Sequence, residues 1–113
     1  MASLQEEMGK SVFLETFGDS PSNRILDFLI VFDKFDYSMT DLAEKAGVGY
    51  STLKILIKEL IKKGLLVQTR VSGKSKMYRF NKDGLLAQKF ASFYWSITNE
   101  AVDKEKLKVI VTH

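Results

Sequence analysis

The sequence predicts an α+β domain that is mainly α: a three-helix core, a β-hairpin and an extra C-terminal helix. Three observations carry this. Two short amphipathic segments are separated only by Val48 and Gly49; after Gly64 the composition turns β-branched and aromatic; and from about Lys82 apolar residues return to helical spacing.

With 113 residues, 45% hydrophobic and 27% charged, the chain is long enough for one domain with a real but modest core. It has no cysteine, which excludes disulfides, thiolate metal sites and thiol redox sensing. His113, the single histidine, is the last residue and reads as a frayed end rather than a ligand. The N-terminus carries Glu6 and Glu7 and no long apolar run, so neither a signal peptide nor a membrane span is expected, and a cytoplasmic protein is.

Residues 1–20 read as an N-terminal extension. Met1 to Lys10 is polar and expected to be loose, whereas Val12, Phe13, Leu14 and Phe17 make a short helix that Gly18 stops. Residues 21–80 form the central unit. Ser20 and Pro21 are an N-cap and a first-turn proline, and Ile25, Phe28, Leu29 and Phe32 follow at helical spacing, giving a helix from Pro21 to Phe32. Arg24 on this helix is expected to face solvent. Asp33 to Tyr37 is a loop leading into a short strand, with Asp33 and Asp36 a solvated pair and Tyr37 a packing residue.

Ser38 and Asp41 are spaced as a weak capping box at the start of a helix whose inner residues are Leu42, Ala43 and Ala46 and whose end is Gly47. The next helix opens after Gly49 and closes at Gly64. Leu53, Leu56, Ile57, Leu60 and Ile61 form its apolar stripe, while Ser51, Lys54, Lys58 and Lys62 fall on the opposite face. Leu65 to Val71 and Lys76 to Phe80 then flank the turn former Ser72 to Ser75. In residues 81–113, Asn81 is placed to cap a helix from about Lys82 to Asn99. Its seam is Leu86, Phe90, Phe93, Ile97 and Ala101; Leu85, Tyr94 and Trp95 lie off that seam. Beyond Ala101 the helix either continues or gives way at Lys108 to Thr112 to a strand or a disordered end.

No nucleophile with a base, paired catalytic carboxylates, metal cluster or phosphate-cradling glycine loop stands out, so no enzyme, cofactor or metal is expected. Charge is unevenly placed. Between Val48 and Phe80 eight basic residues face Glu59 alone, a surplus of +7, so the rest of the chain carries −4 within the net +3. A surplus of this kind is usually just a solvated face, but here it coincides with two elements that could enter nucleic-acid grooves.

The run TDLAEKAGVGYSTLKILIKELIKKGLLVQTRVSGKSKMYRF resembles the winged helix-turn-helix family of DNA-binding proteins, of the bacterial and archaeal transcription-regulator type, with second helix, recognition helix and wing in order. The resemblance implies double-stranded DNA as partner, the helix at about 50–63 in the major groove, and the wing at 65–80 on the backbone or minor groove. By position it implies Tyr50, Ser51, Thr52, Lys54 and Ile55 as base-reading candidates, Lys58 as a phosphate contact, and Arg70, Lys74, Lys76 and Arg79 as wing contacts. Ile55 is either free to meet a thymine methyl or partly buried by a neighbour, and Tyr50 either reads DNA or packs under the helix start. The chain departs from the family pattern at Gly49, where a serine or threonine cap is common, and at Leu56 and Ile61, which are apolar where polar residues are common.

The apolar surface of the last helix exceeds what one small domain covers, so a homodimer through Leu86, Phe90, Phe93 and Ile97 is expected, with the helix folding back over Leu56 and Ile61 in a monomer as the alternative. Two other uses remain open for the same sequence: a winged helix serving as a protein-interaction or assembly module, and a DNA-organising or partition protein. Neither the bound site nor an effector ligand is specified by these residues.

Overall fold

The computed structural model describes residues 9–112. Most of the stretch expected to be loose, residues 1–8, and His113 lie outside the described residues. Among the described residues, five helices and three strands follow in the order α1 (Val12–Phe17), α2 (Pro21–Val31), β1 (Tyr37–Ser38), α3 (Met39–Ala46), α4 (Tyr50–Lys62), β2 (Leu66–Ser72), β3 (Ser75–Phe80) and α5 (Leu85–Thr112). The strands form one antiparallel sheet in the order β1-β3-β2.

Three serines start three helices. The hydroxyl of Ser11 accepts from the Leu14 amide at 3.1 Å, that of Ser20 from Asn23 at 3.2 Å, and that of Ser38 from Asp41 at 3.2 Å, each taking up one of the amides a helix start leaves without a partner. Gly47, in the left-handed region at φ 70°, ends α3 and turns the chain into α4 within three residues. Gly49 caps α4 with no side-chain hydrogen bond. Leu42, Ala43 and Ala46 of α3 are buried, as are Leu53, Ile57 and Leu60 of α4, and they meet Ile25 and Leu29 of α2 in the core. Full burial of a leucine or isoleucine side chain contributes about 1.5–3 kcal/mol, so the inner face of α4 fixes that helix firmly and leaves its other face for solvent.

The last helix departs from its sequence reading in three ways. It starts at Leu85 rather than near Lys82, because Asn81 does not cap it: its side-chain amide donates to the Gly64 carbonyl at 2.9 Å. It runs to Thr112, so Lys108 to Thr112 is helical and not a strand. Its inner face is centred on Ala87 and Tyr94, with Phe90, Ala91, Ile97 and Ala101 partly buried beside them. The predicted seam is therefore divided: Phe90 and Ile97 pack on the core of their own domain, whereas Leu86 is 51% and Phe93 41% exposed.

That phase is set by what α5 meets. Phe13 of α1 lies edge-on to Phe90 at 5.3 Å between ring centroids and 5.6 Å from Tyr94, and the Tyr94 hydroxyl donates to Asp27 of α2 at 2.6 Å. Asp27 is only 2% exposed. A carboxylate so placed is costly unless hydrogen-bonded, which is what Tyr94 supplies. Burial, then the bond to Asp27, holds the Tyr94 hydroxyl protonated well above the usual phenol range.

Candidate nucleic-acid interface

Tyr50, Ser51, Thr52, Lys54, Ile55 and Lys58 are all exposed on α4: Leu53, Ile57 and Leu60 turn inward and leave Ser51, Ile55 and Lys58 on the outer face, while Tyr50 is exposed as the first residue of the helix. Ile55 is 68% exposed, which decides between its two readings: no neighbour covers it. Tyr50 is also exposed and does not pack beneath the helix start. Leu56 is partly buried against the core, while Ile61 stays exposed.

The wing is the β2-β3 hairpin, closed at Gly73 and Lys74 with Gly73 at φ 62°, the positive value a tight two-residue hairpin turn requires. Lys74, Lys76 and Arg79 are exposed along it. Between wing and helices lies an open groove of about 240 Å³ lined by residues that include Ser38, Thr40, Tyr50, Lys74, Lys76 and Tyr78, so the start of α4 and the wing tip form one surface. Among the described residues no carboxylate pairs with Lys54, Lys58, Lys74, Lys76 or Arg79. Of these, Lys74 and Lys76 line the groove, where unpaired ammonium groups attract an anion without first breaking an internal bond.

Arg70 is placed differently from the other wing cations. Its Nε donates to Asp36 at 2.9 Å and its Nη2 to the other carboxylate oxygen at 3.2 Å, while the Thr69 hydroxyl donates to Asp36 at 2.6 Å. Adjacent strand residues normally point to opposite faces. The register shift between Gln68 and Arg70 relaxes that alternation and lets Thr69 and Arg70 reach one carboxylate. Arg70 first and Thr69 second draw the Asp36 carboxyl down to about 2. Because the folded value is depressed, the pairing is complete above the ordinary carboxylate range and is lost only as pH falls through about 2. Asp36, expected to be merely solvated, thus ties the wing to the loop before β1.

Arg24 is a second correction. It bonds both carboxylate oxygens of Asp19, and its Nη1 donates to the Gly47 carbonyl at 2.9 Å, so it braces the turn between α3 and α4 instead of facing solvent. Tyr37 packs as expected, edge-on to Phe28 at 5.0 Å with its hydroxyl donating to the Phe32 carbonyl at 3.3 Å. The supporting roles of Asp36, Arg24 and Asn81 escape sequence reasoning because each acts on a residue 17 to 34 positions away, a separation that local spacing does not reveal.

Three core helices, a turn of three residues and a two-stranded wing paired with β1 define a winged helix-turn-helix fold. Neither a protein-family model nor a curated protein matches the sequence. Solved structures share the fold. The adhesin competence repressor of Streptococcus pyogenes matches with a TM-score of 0.57 and 18% identity, over 97% of this chain and 73% of that one. MepR, a transcription regulator of the Staphylococcus aureus multidrug efflux pump MepA, matches with a TM-score of 0.57 and 20% identity, over 88% of this chain and 79% of its own. A variant of MepR bound to an oligodeoxyribonucleotide matches with a TM-score of 0.58 and 18% identity, over 88% and 79% of the two chains.

Proposed function

We propose that the protein is a homodimeric DNA-binding regulator of transcription, not an enzyme, that binds double-stranded DNA in a sequence-specific way in the cytoplasm. Residues 21–80 act as the DNA-binding unit and residues 81–113 as the dimerisation element. The observation that carries this reading is the groove that the start of α4 shares with the wing tip, lined by the unpaired Lys74 and Lys76, together with Lys54, Lys58, Ser51, Thr52 and Ile55 exposed along α4. Helix α4 enters the major groove, where Thr52 and Lys54 meet base edges and Ile55 a thymine methyl, and Lys58, Lys74, Lys76 and Arg79 contact phosphates. Arg70 reaches DNA as part of its pair with Asp36. Likeness of fold to transcription regulators, one of them bound to an oligodeoxyribonucleotide, supports the reading.

The dimer surface narrows to Leu86 and Phe93, joined by Phe17 of α1, whose ring lies 5.2 Å from that of Phe93. Three exposed apolar side chains on one flank of a long helix suit a two-fold contact in which each chain offers the same patch. Two identical reading heads then require an inverted repeat with half-sites about 34 Å apart or a multiple of it. Selection of bound duplexes from a random pool tests this: an inverted repeat should emerge, and a pool that stays random would return the fold to an interaction or assembly role.

A further inference from the structure

Asn81 and Gly84 lie at the joint between the end of α4 and the start of α5, and nothing in the DNA-binding reading uses them. Helix α4 stops at Gly64, whose φ of 79° reverses the chain, with the Leu65 amide donating back to the Leu60 carbonyl at 2.9 Å. The Gly64 carbonyl is taken by the Asn81 side-chain amide at 2.9 Å, and the Asn81 backbone amide donates to the Leu65 carbonyl, also at 2.9 Å. Asn81 thus grips Gly64 and Leu65, the second and third residues after the end of α4. One step on, the Gly84 amide donates to the Asn81 carbonyl at 3.1 Å, and the Gly84 carbonyl accepts from Gln88 at 2.9 Å in the first turn of α5. An unbroken series of hydrogen bonds connects the last turn of α4 to the first turn of α5.

Gly84 is not required by its backbone, since its φ is not in the positive region. It is required by space. A Cβ there would stand 2.6 Å from Asn81 Nδ2 and 2.7 Å from the Gly64 carbonyl oxygen, and the second of these is main chain that cannot swing away. The two helices meet as closely as they do because residue 84 has no side chain. Helix α5 is held along its inner face by Phe13 and Asp27, so it is a stiff arm that carries the exposed Leu86 and Phe93. Helix α4, 13 residues and therefore about 20 Å long, leaves the joint with its reading end at the far side.

We infer that Asn81 and Gly84 are positioning residues that set the angle between the recognition helix and the dimer arm, and through it the half-site spacing the dimer accepts. The inference rests on the dimeric DNA-binding reading above. Opening the joint by a few tenths of an ångström leaves each reading head intact and changes where the second head falls.

The test measures affinity for an isolated half-site and for inverted repeats of stepped spacing, with the full-length wild type, Gly84→Ala and Asn81→Ala, and confirms each dimer by sedimentation. Wild type should show a sharp optimum and prefer the best repeat over the half-site by about 10²-fold or more, since engagement of the second head is intramolecular. Gly84→Ala should stay dimeric and bind the half-site within about twofold, yet lose about tenfold of that preference or move its optimum. Asn81→Ala, which adds no atom, should broaden the spacing preference. A Gly84→Ala dimer with unchanged optimum and preference overturns the inference, as does equal loss on half-site and repeat. If Gly84→Ala does not fold, Asn81→Ala decides: an unchanged optimum and breadth overturns the inference. A wild type that binds no duplex, or is monomeric, overturns the proposed function and this inference with it; a wild type with an optimum that neither variant disturbs overturns the inference alone.

Discussion

Helices α4 and α5 each lay one face on the same core, yet they leave opposite chemistries in solvent. Helix α4 presents hydroxyls and unpaired lysines with exposed Ile55 among them, whereas α5 presents Leu86 and Phe93 on one flank and Trp95 and Val102 on the other. The first surface suits a charged, wet partner and the second an apolar one. Under the proposed function the contrast would separate reading DNA from pairing subunits, and damage to one should then spare the other.

The largest expected effect divides α5 against itself. Phe90→Glu buries a charge among Phe13, Phe80 and Tyr94 and should cost roughly 3 kcal/mol or more, enough to unfold much of the population in urea titrations. Phe93→Glu, three residues on but exposed, should leave the unfolding midpoint almost unchanged and convert a dimer to a monomer in sedimentation. Equal destabilisation by both would mean that the two flanks are not distinct. Next comes Tyr94→Phe, which strands the Asp27 carboxylate without its donor and should cost about 1.5–3 kcal/mol. DNA affinity of the folded fraction should be retained, and a fall in affinity with no change in stability would show that the two surfaces are coupled through this bond.

A smaller effect tests the other helix. Thr52→Ala or Lys54→Ala should reduce discrimination between the selected site and random duplex by about 1–3 kcal/mol with stability intact. Equal losses on both duplexes would make these residues backbone contacts and move base reading elsewhere on α4.

The two helices also differ in how much of them is legible in the sequence. Helix α4 has apolar residues on one side, charges on the other and glycines at both ends, so its phase follows from its own residues. Helix α5 is apolar around most of its circumference, and its phase depends on Phe13, Phe17 and Asp27, which lie in other elements. The expected seam consequently mixes three partly buried residues, Phe90, Ile97 and Ala101, with two exposed ones, Leu86 and Phe93. Asp27 leaves a faint signal as the one charge within the apolar run Ile25 to Ile30. The pairing of Arg70 with Asp36 leaves none, because a bulge in β2 creates it.

The central claim, that α4 and the wing form a DNA-binding surface, is tested most directly by the salt dependence of binding. Association constants measured across salt concentrations for wild type and the Lys74→Ala/Lys76→Ala variant should both fall as salt rises. The variant's log–log slope should be shallower by about 0.9 for each phosphate it no longer neutralises, with selected and random duplexes weakened alike. Unchanged affinity and unchanged slope in the variant would contradict the account, because the groove between Tyr50 and the wing would then hold no phosphate.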